Sequence, residues 1–199
     1  MAIPYGIKYW HEQISRNGIH GDVLNSMLQK SIRRGKEEYA LAAAYEMYVT
    51  SPDYLEMLWL RIQCIAIEDI GFGQQDAASL IRTLDEMRKV FPYEDPSQAV
   101  FFVQAIRYLC RCAKERTSDH LRGMLRRAFD NGYVPQTPDW ALDATTRRGR
   151  ENGKTELDAA EQVQDVSTIH QQYLAYLRDP SLLSGEPEVD PLQLNTWHD

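Results

Sequence analysis

Residues 29–73 read QKSIRRGKEEYALAAAYEMYVTSPDYLEMLWLRIQCIAIEDIGFG, and the clearest helix signals of the chain lie here. Ser51-Pro52 is a helix start: a hydroxyl that can accept from free N–H groups, then a proline that lacks a donor the first turn cannot use. From there to Ile70 the apolar residues Leu55, Met57, Leu58, Trp59, Leu60, Ile62, Ile65, Ala66, Ile67 and Ile70 cover most of the helix circumference. A helix apolar all round belongs in a core. Asp53, Glu56, Arg61, Gln63, Glu68 and Asp69 break the run well short of the ~20 apolar residues a bilayer span needs, so no membrane association is expected.

Glu68 and Asp69 fall in the last turn of this helix, just before Gly71. Carboxylates there oppose the helix dipole, which favours cations at that end. Arg33 and Arg34, closing the preceding helix, are the nearest compensating charges in sequence. Structural ion pairs among these four residues are one reading, and capping of the next helix is another. A catalytic or metal-binding pocket around Glu68 and Asp69 is the third.

Outside this stretch the helical pattern continues. Asp22 is placed to cap a helix carrying Val23, Leu24, Met27, Leu28 and Ile32, closed by Gly35. Ala40–Ala44 permits close approach of a neighbouring helix. Asp76 opens a helix with Leu80, Ile81, Leu84, Met87 and Phe91 on one side. Asp95-Pro96 opens another, carrying Ala99, Val100, Phe101, Phe102, Val103, Ile106, Tyr108, Leu109, Cys110 and Cys112, again apolar nearly all round. These two all-round apolar helices are expected to form the core pair. The next helix, from Thr117 or Ser118, is expected to bury Leu121, Met124, Leu125, Ala128 and Phe129. Thr137-Pro138 is expected to open a helix running to Gly149. Thr155 is expected to cap a long last helix with Ala159, Val163, Val166, Ile169, Tyr173 and Leu177 facing inward. No strand pattern and no repeat of constant period stands out. The expected fold is all-α, about eight helices in a bundle, organised as an N-terminal arm (1–21), a helical domain (22–178) and an acidic, proline-containing tail (179–199).

Two segments carry a resemblance. KSIRRGKEEYALAAAYEM followed by IAIEDIGFGQQDAASL resembles the C-terminal helical region of the RarA/MgsA/Werner-helicase-interacting AAA+ ATPases, relatives of clamp-loader subunits. In that family a K-S-[IV]-R-G segment precedes an Ala-rich helix, and a later helix ends in A-S-E-D-[IV]-G. Here Arg34 is an extra arginine, and Ile67 stands for the serine. The segment 141–149, ALDATTRRG, is similar to a further family pattern, with Thr145 in place of its histidine. The resemblance covers residues 22–116 and excludes the ATPase core. It implies a clamp-loader-collar-like bundle, a homo-oligomer (a tetramer), and an AAA+ ATPase or DNA as partner in replication or repair.

Composition fits a soluble globular chain, with 43% hydrophobic and 26% charged residues, and with no apolar N-terminal run of the signal-peptide kind a cytoplasmic location is expected. The net charge of −7 is unevenly placed. Residues 104–154 hold 11 Lys/Arg against 6 Asp/Glu, whereas residues 155–199 hold 1 against 9. Arg107, Arg111, Lys114, Arg122, Arg126 and Arg127 are therefore candidates for a nucleic-acid-binding face. A salt-bridged subunit contact is the alternative.

Specific chemistry is sparse. Gly153-Lys154-Thr155 ends a near miss to a phosphate-binding loop, because Arg148 occupies the position that must be glycine. Asp119-His120 has the wrong order for a metal phosphohydrolase. Cys64, Cys110 and Cys112 read as reduced, packed thiols. No catalytic residue, metal site or cofactor is expected. The leading expectation is a stand-alone oligomerisation or scaffolding domain.

Overall fold

A computed structural model describes residues 12–161, 163 and 167–179. Most of the N-terminal arm and of the acidic tail, together with Val166, lie outside the described residues. The chain divides into two compact units, residues 1–132 and 133–199. Among the described residues there are nine α-helices and no strand. None of the helices is long and apolar enough to cross a membrane.

In the first unit, α1 (Gly21–Arg33), α2 (Glu37–Thr50), α3 (Pro52–Ile65), α4 (Ala77–Arg88), α5 (Pro96–Arg111) and α6 (Thr117–Asp130) follow one another. A π-helical segment, Ala66–Ile70, and a 3₁₀ turn, Gly71–Gly73, join α3 to α4. Two starts form as their sequences predict. Ser51 Oγ accepts from Tyr54 N (3.2 Å), and the Asp95 carboxylate accepts from Ser97 N (2.8 Å), each with proline at the first helical turn. Others differ. The N-cap of α1 is His20, not Asp22, whose carboxylate lies in the first turn and accepts from Val23 N.

The core is centred on α2 rather than on α3 paired with α5. Helix α2 packs against α1, α3 and α5, while α3 and α5 touch only slightly. Its small residues explain this: Ala40, Ala43 and Ala44 are buried and let three neighbours come close, and Met47 fills the space beyond them. Around it Leu24, Leu28, Ile32, Leu58, Ile62, Phe102, Ile106 and Leu109 form one continuous apolar cluster.

The inner face of α4 is shifted from the expected one. Ala77 and Ile81 are buried together with Asp85 and Arg88, while Met87 turns outward. The Arg88 guanidinium explains the shift. It meets Glu56 through Nη1 (2.6 Å) and Nη2 (2.8 Å), meets Asp85 through Nε (2.8 Å), and lies 5.5 Å from the Trp59 ring centroid. Burial opposes its charge, but the bonds to Glu56 and Asp85 outweigh it and hold its pKa above the ordinary value.

In the second unit the expected helix from 138 to 149 does not form. A 3₁₀ turn, Asp139–Ala141, is followed by α7 (Arg147–Glu151), so Gly149 sits inside a helix and not at its end. The Asp143 carboxylate accepts from Thr145 N, Thr145 Oγ1 and Thr146 N, and Thr146 Oγ1 caps Gly149 N (3.0 Å). This side-chain turn competes with helix and starts it late. The long last helix is likewise two pieces, α8 (Glu156–Glu161) and α9 (Thr168–Arg178). Thr155 Oγ1 does accept from Asp158 N, but Val163 and Tyr173 are exposed rather than inward.

The tightest backbone approach in the first unit is at the 3₁₀ turn. A Cβ on Gly71 would sit 2.6 Å from Glu115 Oε2 and 2.9 Å from Glu115 O, and one on Gly73 would sit 2.6 Å from Ala113 O. Gly71 also has φ +49° and ψ −129°, where a side chain is strained. Replacing Gly73 by Ala is expected to cost about 1–3 kcal/mol in a urea melt, and Gly71→Ala at least as much. Unchanged midpoints for both variants would show that residues 113–115 do not clamp this turn.

Candidate functional site

The π-helical segment brings Asp69 to a place where charges from three elements converge. Asp69 is 0% exposed. Arg33, from the end of α1, places Nε 2.7 Å from Asp69 Oδ1. Arg116, just before α6, places its own Nε 2.9 Å from the same oxygen. That N–H is not aimed at the oxygen, so the second contact is an ion pair without a hydrogen bond. Gln29 donates to Asp69 Oδ2 (2.9 Å) and to Glu68 Oε2 (3.0 Å), and accepts from Arg61 Nη2 (3.0 Å). Arg34 is not part of this network; its Nη1 bonds the Lys30 carbonyl.

In this segment the neighbouring Glu68 and Asp69 both accept from the Gln29 amide, and Asp69 is the one that is buried. Arg116 is the member that sequence spacing missed, because it lies 47 positions beyond Asp69. Its only sequence signal was membership of the basic stretch 104–154.

From Arg116 the network continues to Asp119, which Arg116 Nη2 and Arg122 Nη2 both contact. The Arg122 bond holds the Asp119 carboxyl below the usual carboxylate range, although burial works against it. Glu115 accepts from Thr117 N (2.7 Å) and Phe72 N, and its pKa is lowered through its bonds to Thr117. The start of α6 is thus pinned to the body by charged and polar groups.

The consequence is an inverted helix. Asp119 is turned toward the body, and no residue of α6 is buried. Leu121, Met124 and Leu125, expected in the core, are 51%, 67% and 55% exposed. Phe129 is half exposed, and Ala128 is only partly covered. At about 100° per residue these residues share one side. Arg122 and Arg126 run along one edge of that side, and His120 and Arg127 along the other. Asp119 and Asp130 lie at the back. Beyond the Arg122 edge the surface continues across a cavity of about 490 Å³ lined by Gln63, Cys64, Ile67, Glu68, Ser118 and Asp119. Cys64, expected among the packed thiols, is exposed there, while Cys110 is buried and its thiol is pushed up to about 11 by desolvation.

The other basic candidates sit elsewhere. Arg107 and Arg111 both reach Glu37, at 3.3 and 2.8 Å, and the Arg111 bond lowers the Glu37 pKa. Lys114 Nζ donates to the carbonyls of Leu109, Cys110 and Cys112, closing the end of α5. Arg126 approaches Asp130 at 3.6 Å. Arg122, Arg126 and Arg127 line a shallow cavity of about 280 Å³ around Gly123. In the second unit Lys154 pairs with Asp139 at 2.7 Å, and irregular turn and short helix precede it where a phosphate-binding loop needs a strand. No group of three His, Cys, Asp or Glu among the described residues could hold a metal.

No protein-family model and no curated protein matches this chain.

Two outcomes test the network. Asp69→Ala would leave Arg33 and Arg116 without their shared carboxylate and should cost about 3–5 kcal/mol, whereas Arg34→Ala should stay within about 0.5 kcal/mol; equal effects in chemical denaturation would sink the assignment. Asp119, Glu115 and Glu37 all titrate below their ordinary values. Their contribution is complete above the unfolded-state values of about 3.9 (Asp) and 4.3 (Glu) and is lost as pH falls through the lower folded values. The urea midpoint should therefore be level from pH 7 to about 5 and drop below about 4.3. A midpoint that rises on acidification would contradict this.

Proposed function

We propose that this chain is a non-catalytic assembly domain that joins copies of itself through the exposed apolar side of α6. The observation that carries this reading is the orientation of α6: Asp119 turns toward the body through Arg116, and the leucines and methionine on the other side of the helix face outward. Contiguous apolar surface rimmed by polar residues marks an interaction site on a folded chain. The cavity beside Ile67 extends that surface from α6 onto the π-helical segment.

The resemblance of residues 22–116 to the C-terminal helical region of the RarA/MgsA/Werner-helicase-interacting ATPases supports the same role. That region assembles its proteins, and a clamp-loader-collar-like arrangement of helices suits the task. On this reading the chain is a counterpart of that region, a tetramer, serving DNA replication or repair beside an AAA+ ATPase. The basic residues weigh toward protein contact over a nucleic-acid face, because Arg107, Arg111 and Lys114 already hold internal partners. Likewise Glu68 and Asp69 bond Gln29, and Asp69 also meets two arginines, which leaves little for a reaction centre.

Light scattering of the intact chain should give a mass that is a multiple of 23.0 kDa at micromolar concentration. Met124→Glu with Leu125→Glu should reduce it to a single subunit while leaving helix content and melting temperature unchanged, since both side chains are exposed. A wild-type chain that stays monomeric, or a double variant that still assembles, would overturn the proposal.

A further inference from the structure

The charge pattern around α6 specifies what kind of surface would cover it. The apolar side formed by Leu121, Met124 and Leu125 has exposed arginine on both edges, Arg122 and Arg126 on one, each beside one acid of its own helix (Asp119 at 2.5 Å and Asp130 at 3.6 Å), and Arg127 on the other. Both acids of the helix, Asp119 and Asp130, are at the back. A second α6 laid across this face would set arginine against arginine, so simple self-pairing of the helix is disfavoured. The complement is an acidic segment that carries leucines.

The chain contains one. Residues 180–199, PSLLSGEPEVDPLQLNTWHD, hold four Asp/Glu and no Lys or Arg. Leu182, Leu183, Leu192 and Leu194 flank the acidic run Glu186, Glu188 and Asp190. We propose that in the assembly the α6 face of one copy takes up residues 180–199 of a second copy, leucines on the apolar side and carboxylates on the arginine edges. This rests on the reading of α6 as the assembly face and adds the identity of its occupant. The contact is heterologous: each copy offers one face and one segment. Such a contact closes into a ring when the rotation between copies permits.

Charge exchange in the intact chain tests it. Arg126→Glu with Arg127→Glu changes two exposed residues of the second and third turns of α6. Glu186→Lys, Glu188→Lys and Asp190→Lys change the segment. Each set alone should weaken assembly, measured by light scattering over a dilution series, at least about tenfold. The chain carrying both sets should recover to within about threefold of the original. Helix content by circular dichroism identifies any variant that fails to fold, and the segment variants, which change only residues outside the described ones, remain decisive in that case. Assembly unaffected by reversing the segment would overturn this proposal while the α6 reading survives, provided Met124→Glu with Leu125→Glu still abolishes assembly. A monomeric wild-type chain would overturn both. Failure of the combined chain to recover, with both single sets disruptive and folded, would also overturn the direct contact.

Discussion

One buried carboxylate sets the terms for the first unit. Asp69 has no access to water, and its charge is tolerable only because Arg33 and Gln29 of α1 and Arg116 before α6 reach it. These partners tie it to α1, with Arg61 of α3 behind Gln29, and to the approach to α6. Removing Asp69 would leave two cations facing each other. The π-helical turn, the glycines at 71 and 73, and the clamp of residues 113–115 over them are the backbone conditions under which those partners meet.

The direction of α6 follows from the same interaction. Asp119 joins Arg116, and Arg116 joins Asp69, so Asp119 is drawn inward and the apolar side of α6 is left facing out. An isolated amphipathic helix on a folded body ordinarily does the reverse, because apolar burial contributes about 25 cal/mol per Å². The reversal makes sense when the burial is completed by another chain. The fold and the proposed assembly are in this way two consequences of one ionic network.

Much of the helical layout was legible in residue order. Ser51-Pro52 and Asp95-Pro96 announced their helices through capping chemistry that acts over three residues, and the structure forms both as read. The alanines of α2 announced close packing. The failures have separate causes. Leu121, Met124 and Leu125 have the spacing of a buried stripe, and spacing tells which residues share a side but not which way that side turns. The helix expected from 138 to 149 failed because Asp143 and Thr146 bond the local backbone and delay the start. On α4 the buried pair Asp85 and Arg88 displaced Met87, since a guanidinium with three matched acceptors and an aromatic face can be buried where an isolated charge cannot.

Residue order alone thus determined the helical class, most helix starts, the small-residue helix that permits a crowded centre, and the lopsided distribution of charge. These depend on interactions spanning a few positions or on composition. The three-dimensional body alone decided that Arg116 rather than Arg34 meets Asp69, that α2 is central, and that α6 shows its apolar side to solvent. Those outcomes depend on which distant groups arrive at one point, and a buried charge admits only the arrangement in which they all do.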